Sequence, residues 1–426
     1  MLGLIALLVS PGYATPDVPA TPELRTSPET LLVRSAPTPK ARTVGRLAPD
    51  APFLVMSVVT GPGCSAGWGV LEHGYTCLLR TSPTDARPAP LPTLVAFDPP
   101  TPAEYRAYLT EGTWPREPDS SEALLPYVYG KAWRRWKGKT YASVEAWDRG
   151  DPPVESLASD RKYHFVDVIE TSRGAVLVRH DGRVAPLDDV FLYPVSRFAG
   201  VELDEAAGMT QAWTHPYANA NLRDAPSTDA DVYSKLPQHT ALRVRTEPAT
   251  PDGAWFEVPD ARGPGLPAYI AARVIRRVVP APPPASVTDD ELWIDVDLQE
   301  QVLMLLRGPV PVFATLISSG LPPLATPKGT YAVLDKAIAW DMASLPGVEE
   351  PYHVERVPWV VHFRPRYAIH GVFWHWGFGN RASHGCINLS PADARHVFDA
   401  VTPTLPASWS SVTATGDRPG TTLRVR

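Results

Sequence analysis

Apolar and polar residues alternate in short runs along much of the chain, and this period of two is typical of half-buried β-strands. Residues 292–298 (LWIDVDL) show it clearly. Residues 162–203 show it again, interrupted by Arg173-Gly174 and Asp181-Gly182, two dipeptides suited to hairpin turns. The pattern predicts a mainly β protein built from short strands.

One segment has the period of a helix instead. Residues 390–401 (SPADARHVFDAV) place apolar side chains at i, i+3, i+4 and i+7, namely Ala394, Val397, Phe398 and Val401. Ser390 is a favourable N-cap, Pro391 suits the first helical position, and Asp393 lies near the positive end of the helix dipole. We expect a helix that packs one face and ends before Pro403.

Two segments, 31–55 and 220–244, repeat one another without gaps. The coinciding residues are Arg34, Ala36, Pro37, Leu47 and Val55 in the first and Arg223, Ala225, Pro226, Leu236 and Val244 in the second. A strand with glycine and tryptophan follows each copy. This spacing resembles bacterial SH3-like domains, which implies small β-barrels over 28–82 and 213–279. Such barrels either bind cell-wall peptides or serve as scaffolds.

Proline-rich segments divide the chain. The 426 residues include 49 prolines, about twice the average usage of ~5%. We interpret 83–104 and 280–288 as semi-rigid linkers. They delimit a small β-rich domain of unassigned role over 105–205 and a C-terminal domain over 290–426.

The first residues predict export. An apolar run from Leu2 to Val9, followed by small residues, resembles a signal peptide over 1–15, and the run is too short to span a bilayer. Cys64 and Cys77 lie 13 positions apart, which suits a disulfide between neighbouring strands in an oxidising compartment. Two unpaired thiols in a small core are the alternative. We expect location in the periplasm or cell wall and no integral membrane span.

Charge excludes one class of partner. The net charge is −6 and no long basic run occurs. Binding to nucleic acid by neutralising its phosphates is therefore not expected.

The third cysteine, Cys386, lies close to His370, His375 and His384. A zinc site is disfavoured, because His384 and Cys386 have one residue between them and no second cysteine or nearby carboxylate completes a set of ligands. An inert core cysteine is disfavoured by the small polar residues around it. We therefore expect no metal.

A thiol active site fits the same residues better. Gly385, directly before the thiol, lets a substrate backbone approach and leaves main-chain N–H groups free for an oxyanion. A thiol nucleophile also needs a base. His370, 16 residues upstream at the end of an apolar strand, is the first candidate, and His375 is the alternative.

The segments IHG (369–371) and SHGCINLS (383–390) resemble the catalytic domain of YkuD-type L,D-transpeptidases. The strands after residue 292 and the TPKG turn at 326–329 resemble the same family. The resemblance covers residues 292–426 and implies a β-sandwich with a short helix.

Roles for individual residues follow from the resemblance. It implies Cys386 as the acylated nucleophile and His370 as the group that accepts and returns its proton. It implies that the backbone carbonyl of Gly371 orients the imidazole, and that His384 and Gly385 belong to the loop that supplies oxyanion-hole amides.

Substrate contacts are expected from nearby residues: Ser383, Asn388, Trp374, His375 and Trp376. Asn388 stands where many relatives have arginine, so a guanidinium contact to a substrate carboxylate is in doubt. The two tryptophans either line a groove or pack a loop over the sheet.

The implied activity is that of a peptidoglycan L,D-transpeptidase. The thiol would form a thioester with a tetrapeptide stem and transfer it to an amine of a neighbouring stem, giving a 3→3 crosslink. No cofactor is expected, and carbapenem-type inhibitors are expected to acylate the thiol. The alternatives are an L,D-carboxypeptidase, a cell-wall binding or protein-attachment module with minor catalysis, and a metallopeptidase.

Overall fold

The computed structural model describes residues 22–87, 125–133, 138–204, 208–216, 220–344 and 352–426. The predicted signal peptide lies outside these residues, as does most of the first predicted linker. Strands make up most of the regular structure, which confirms the predicted mainly β fold. The chain divides into two compact units, Met1–Leu91 with Leu405–Thr413 (unit 1) and Pro92–Thr404 with Ala414–Arg426 (unit 2).

The strands of unit 1, numbered in chain order, are β1 (Glu23–Thr26), β2 (Leu31–Arg34), β3 (Thr43–Leu47), β4 (Phe53–Val55), β5 (Ser57–Val59), β6 (Trp68–Leu71), β7 (Gly74–Cys77), β8 (Ser82–Pro83) and β33 (Trp409–Thr413). β4, β1 and β8 form a small sheet, and β33, β3, β2, β7, β6 and β5 pair in that order. Trp409 packs in the core of this unit, where a Cβ at Gly45 would lie 2.1 Å from its ring. Residues 405–413, predicted as part of the C-terminal domain, therefore fold with unit 1.

Cys64 and Cys77 form a disulfide, the pairing that their spacing predicted. Cys77 ends β7, whereas Cys64 lies in the loop before β6. Closing a loop of this size contributes about 3 kcal/mol in the chain-entropy account.

Unit 2 begins with the middle β-rich segment. Its elements are β9 (Val128–Ala132), β10 (Lys139–Thr140), α1 (Val144–Arg149), β11 (Glu155–Ser156), β12 (Arg161–Phe165), β13 (Asp167–Ile169), β14 (Val176–Val178), β15 (Val184–Pro186), a 3-10 turn (Leu187–Asp189) and β16 (Val190–Leu192). β13, β14 and β15 form two hairpins, with Gly174 and Gly182 at positive φ in the predicted turns. β17 (Val201–Glu202) follows and pairs with a strand of the C-terminal domain.

The second copy of the repeat comprises β18 (Met209–Thr214), β19 (Ala220–Arg223), β20 (Val232–Leu236), β21 (Ala241–Arg245), β22 (Trp255–Val258), β23 (Ala268–Ala271), a 3-10 turn (Ala272–Val274) and β24 (Ile275–Arg277). The repeated arginine makes the same bond in both copies: Arg34 donates to the carbonyl of Ala41, and Arg223 to that of Ala230. Each arginine also follows a register shift in its strand. The sequence repeat thus reflects a repeated local structure, and its SH3-like identity stays a prediction.

The C-terminal domain contains β25 (Leu292–Asp297), β26 (Val302–Arg307), β27 (Val310–Leu316), β28 (Gly329–Ala332), β29 (Asp335–Ala343), β30 (His353–Arg364), β31 (Tyr367–Gly371), β32 (Ile387–Leu389), α2 (Pro391–Ala400) and β34 (Thr422–Val425). One sheet runs β17-β27-β26-β25-β34-β28. In the other, β30 pairs with β29 and β31, and β31 pairs in parallel with β32. The predicted β-sandwich with a short helix is confirmed.

Helix α2 begins as the sequence predicts. Ser390 is the N-cap and its Oγ accepts from the N–H of Asp393 at 3.1 Å, with Pro391 at the first helical position. The Asp393 carboxylate is buried, and it also accepts from the N–H of Gly200 at 2.7 Å. Asp393 therefore ties the segment before β17 to the helix, a role that sequence reasoning missed. Neither α-helix of the described residues is long and apolar enough to cross a membrane.

Candidate active site

A cavity of about 380 Å³ opens beside Cys386 in unit 2. Five other predicted site residues line it: His370, Trp374, Ser383, His384 and Asn388. His375 and Trp376 are not among its lining residues, and Trp376 is 49% exposed. The predicted substrate contacts of these two side chains are therefore not part of this cavity.

The parallel pairing of β31 with β32 brings the predicted nucleophile and base together. Ile369 lies opposite Ile387, and His370 lies opposite Asn388. Cys386 directly precedes β32, so its side chain and that of His370 face the same cavity. Burial raises the pKa of the Cys386 thiol, although Ala368 and Arg366 counteract this in part. The thiol is therefore protonated at neutral pH and requires a base.

His370 is held in one tautomer. It is 3% exposed, and its Nδ1 lies 3.1 Å from the carbonyl oxygen of Gly371. A carbonyl only accepts, so Nδ1 carries the proton and Nε2 keeps its lone pair. Burial lowers the pKa of His370 to about 4, so the ring is neutral at neutral pH. This is the contact and the protonation state that a general base needs.

The hydroxyl of Ser383 shapes the loop before the thiol. Its Oγ accepts from the N–H of Gly385 at 3.1 Å and donates to the carbonyl of Cys386 at 2.5 Å. Gly385 has φ of +120°, and a Cβ there would lie 2.7 Å from the ring of Tyr367. Glycine is thus required by both conformation and space.

One main-chain N–H group of this loop does not have the role that the sequence analysis predicted. The N–H of Gly385, predicted to serve an oxyanion, is already bonded to Ser383. The main-chain N–H groups of His384 and Cys386 remain as candidates. The imidazole of His384 is exposed and lies 5.1 Å from the ring of Tyr352, centroid to centroid.

Thr326 supports the same loop from a different segment. It is buried, and its hydroxyl donates to the carbonyl of Gly385 at 2.9 Å and accepts from the N–H of Gly320 at 2.9 Å. Sequence reasoning placed Thr326 in a turn and missed this function. The TPKG motif was the available signal.

His375 is engaged at both ring nitrogens. The N–H of Gly377 donates to Nδ1 at 3.3 Å, and the amide of Asn388 lies 3.0 Å from Nε2. A neutral imidazole accepts at one nitrogen only. Because Nδ1 of His375 accepts from Gly377, Nε2 carries the proton and must donate it. The Asn388 amide, turned by 180°, offers its oxygen as the acceptor. In either orientation one amide atom of Asn388 has no protein partner. Asn388 is 3% exposed and lines the cavity, so that atom is available to a substrate.

Residues 291–424 match the sequence model of the YkuD family, described as the L,D-transpeptidase catalytic domain. These residues form a YkuD domain. The putative L,D-transpeptidase YciB of Bacillus subtilis is 28% identical over 135 residues, which cover 27% of this chain and 64% of YciB. The chain thus spans just under two thirds of that curated relative.

Solved structures of L,D-transpeptidases are similar to part of the chain. The L,D-transpeptidase from Mycobacterium smegmatis is 21% identical to this chain. The match covers 44% of this chain and 90% of that protein, with a TM-score of 0.27. The catalytic domain of the Enterococcus faecium L,D-transpeptidase is 23% identical to this chain. The match covers 32% of this chain and 98% of that domain, with a TM-score of 0.26.

The cavity extends beyond the YkuD domain. Lys162, from β12 of the middle segment, lines it together with Arg366 of the YkuD domain. The described lining residues include no aspartate or glutamate. The charges of the described lining residues therefore favour an anionic group. Sequence reasoning missed Lys162 because no motif surrounds it.

The histidines near the thiol are spread over different contacts. His370 bonds to Gly371, His375 to Asn388, and His384 faces Tyr352. Within the described residues, no group of three or more His, Cys, Asp or Glu side chains is placed to hold a metal ion.

Proposed function

We propose that the chain is a peptidoglycan L,D-transpeptidase whose YkuD domain forms a thioester at Cys386. One observation carries the proposal. The Cys386 thiol and the His370 imidazole, oriented by Gly371, belong to the YkuD domain and line one cavity. A nucleophile, a base and a group that orients the base are the parts that thiol acyl transfer needs.

In the first half-reaction, Nε2 of His370 accepts the thiol proton while the sulfur attacks the carbonyl carbon of the third stem residue. The tetrahedral oxyanion accepts hydrogen bonds from the main-chain N–H groups of His384 and Cys386. The C–N bond to the terminal D-amino acid then breaks. The departing amine takes the proton from His370, and the thioester remains.

In the second half-reaction, the amine of an acceptor stem attacks the thioester carbon and gives a proton to His370. The C–S bond breaks, and the sulfur leaves and recovers a proton from His370. The raised pKa of the thiol and the lowered pKa of His370 keep both groups neutral between turnovers. Proton transfer therefore accompanies attack rather than preceding it.

Two side chains are proposed to hold the donor stem. The unpaired amide atom of Asn388 bonds to the stem backbone, since an unsatisfied buried polar group is costly until a ligand pairs it. Trp374 packs along the stem at the cavity wall. Ser383 shapes the loop through its hydroxyl rather than contacting the substrate.

The proposal includes export. The thiol must reach the cell wall, and the Cys64–Cys77 disulfide agrees with an oxidising compartment. The two repeated β units are proposed as SH3-like modules that hold the enzyme on the wall or position its domains.

Intact-protein mass spectrometry after incubation with a carbapenem tests the chemistry. We expect one covalent adduct that is absent in Cys386→Ala and unaffected by EDTA. An adduct that persists in Cys386→Ala, or one lost to EDTA alone, would contradict the thiol mechanism.

Muropeptide analysis of glycan strands incubated with the protein tests the acceptor. Crosslinked 3→3 dimers support transpeptidation. Tripeptide stems without dimers would instead identify an L,D-carboxypeptidase that uses water as the acceptor.

A further inference from the structure

One wall of the catalytic cavity comes from outside the YkuD domain. β12 of the middle segment pairs in parallel with the start of β30, so that Lys162 lies opposite Val354. Both residues line the cavity that contains Cys386. The pairing fixes the position of Lys162 relative to the YkuD domain through main-chain hydrogen bonds.

The ammonium group of Lys162 has no carboxylate partner among the described residues that line the cavity. Its Nζ lies 5.7 Å from the ring centroid of Trp374, which also lines the cavity. Burial and the nearby charge of Lys131 lower the pKa of Lys162. A partly buried cation in this position gains free energy when an anion pairs with it.

Glu355, the residue after Val354 on the neighbouring strand, is already paired with other side chains. Glu355 accepts from Nδ1 of His164 at 2.8 Å and lies 3.4 Å from Nη2 of Arg179. These partners hold the pKa of Glu355 at about 2 although burial opposes them. Glu355 is thus paired with other side chains, and within the described part of the chain Lys162 is left for a ligand.

We propose that Lys162 binds a carboxylate of the donor stem peptide and so gives the enzyme a preference for anionic donors. This rests on the proposed function and extends it to substrate selection. The YkuD domain contributes the neutral Asn388 and the cation Arg366 to the cavity, and Lys162 adds a second cation from the middle segment. The segment of unassigned role thereby becomes part of the substrate site.

Two carboxylates of a stem have the required chemistry. One is the terminal carboxylate of the D-amino acid that leaves, and the other belongs to an acidic residue earlier in the stem. Donor stems amidated at one carboxylate or the other distinguish them. Amidation of the contacted group removes the dependence on Lys162, whereas amidation of the other group leaves it.

The experiment uses the full chain and synthetic donor stems, with a D-amino acid as acceptor. Lys162→Met keeps the aliphatic stem of the side chain, and Lys162→Arg keeps the charge. Lys139→Met is the matched control, because Lys139 is an exposed lysine of the same middle segment and does not line the cavity. The readouts are KM and kcat for each stem, and the melting temperature of each variant.

We expect Lys162→Met to lower kcat/KM for the anionic stem at least about tenfold, mainly through KM, as for loss of one partner of a shielded charge pair. Lys162→Arg restores most of the loss, and Lys139→Met changes little. Equal loss on free and fully amidated stems, or no loss, would overturn the inference. If no stem and no carbapenem acylates Cys386, the proposed function itself fails; normal acylation that ignores Lys162 refutes this inference alone.

Discussion

Nδ1 of His370 lies 3.1 Å from the carbonyl oxygen of the next residue, Gly371, and donates a hydrogen bond to it. This contact orients the ring with a neutral acceptor instead of a carboxylate. A neutral acceptor stabilises an imidazolium less than a carboxylate does, and burial opposes the charge further. The ring therefore stays neutral and ready to accept a proton over a wide range of pH.

The first prediction concerns this range. The pKa of His370 is lowered to about 4, so its neutral form is lost only as the pH falls through about 4. We expect the acylation rate of the free enzyme to be nearly the same at pH 5.5 and 7.5. A histidine with an ordinary pKa of about 6.5 would instead lose about tenfold over that interval. Single-turnover acylation by a carbapenem measures this, and a midpoint between pH 6 and 7 would contradict it.

The second prediction separates the two candidate bases. His370→Gln should lower the acylation rate by about 10²–10⁴-fold, the usual contribution of a general base. His375→Gln should cost less than about tenfold, since both nitrogens of His375 are committed to Gly377 and Asn388. The two variants are compared in the same acylation assay, with circular dichroism to check folding. A larger loss in His375→Gln would reverse the assignment.

The third prediction concerns the loop that carries the thiol. Thr326→Val keeps the shape of the side chain and removes the bridge between Gly320 and Gly385. Unfolding free energy should fall by about 1–3 kcal/mol, because two buried main-chain groups lose their partner. The acylation rate should fall as well, because the loop is less well placed for attack.

The matched control for that change is Thr330→Val, at an exposed position of β28. It should alter neither the unfolding free energy nor the acylation rate appreciably. If Thr326→Val matches this control in both measurements, the bridge does not position the loop.

Sequence patterns predicted the parts of this site that depend on neighbouring residues. The N-cap Ser390, the strand that carries His370 and the glycine before Cys386 are local features, and the structure contains each of them. Alternation predicts that a strand exists but not which strand it pairs with. For this reason the pairing of β12 with β30, which brings Lys162 to the cavity, was not predicted.

Two further features of the fold were not predicted from the sequence, for the same physical reason. Residues 409–413 form β33 and pair with β3, although some 360 residues separate them along the chain. Thr326 and Gly385 bond across two loops with no regular structure. Long-range contacts of this kind leave no periodic signal in the sequence.

The last prediction concerns the end of helix α2, which follows β32. Lys336 is 1% exposed, and its Nζ donates to the carbonyls of Phe398 at 2.6 Å and Val401 at 2.7 Å. These carbonyls have no helical partner at a C-terminus, so the lysine caps the helix. Burial nevertheless lowers the pKa of Lys336 to about 8.

The sign of the pH effect follows from that shift. Between pH 8 and about 10.5 the unfolded chain holds a proton on Lys336 that the folded chain has released, so stability rises with pH over this interval. Relative to Lys336→Met, the unfolding free energy of the wild-type chain should increase by about 2 kcal/mol from pH 7.5 to 10. Urea unfolding of both proteins at each pH measures the difference. If the difference in unfolding free energy does not change with pH, the capping carbonyls keep Lys336 charged throughout. If it decreases as the pH rises, the pKa of Lys336 is raised by folding rather than lowered.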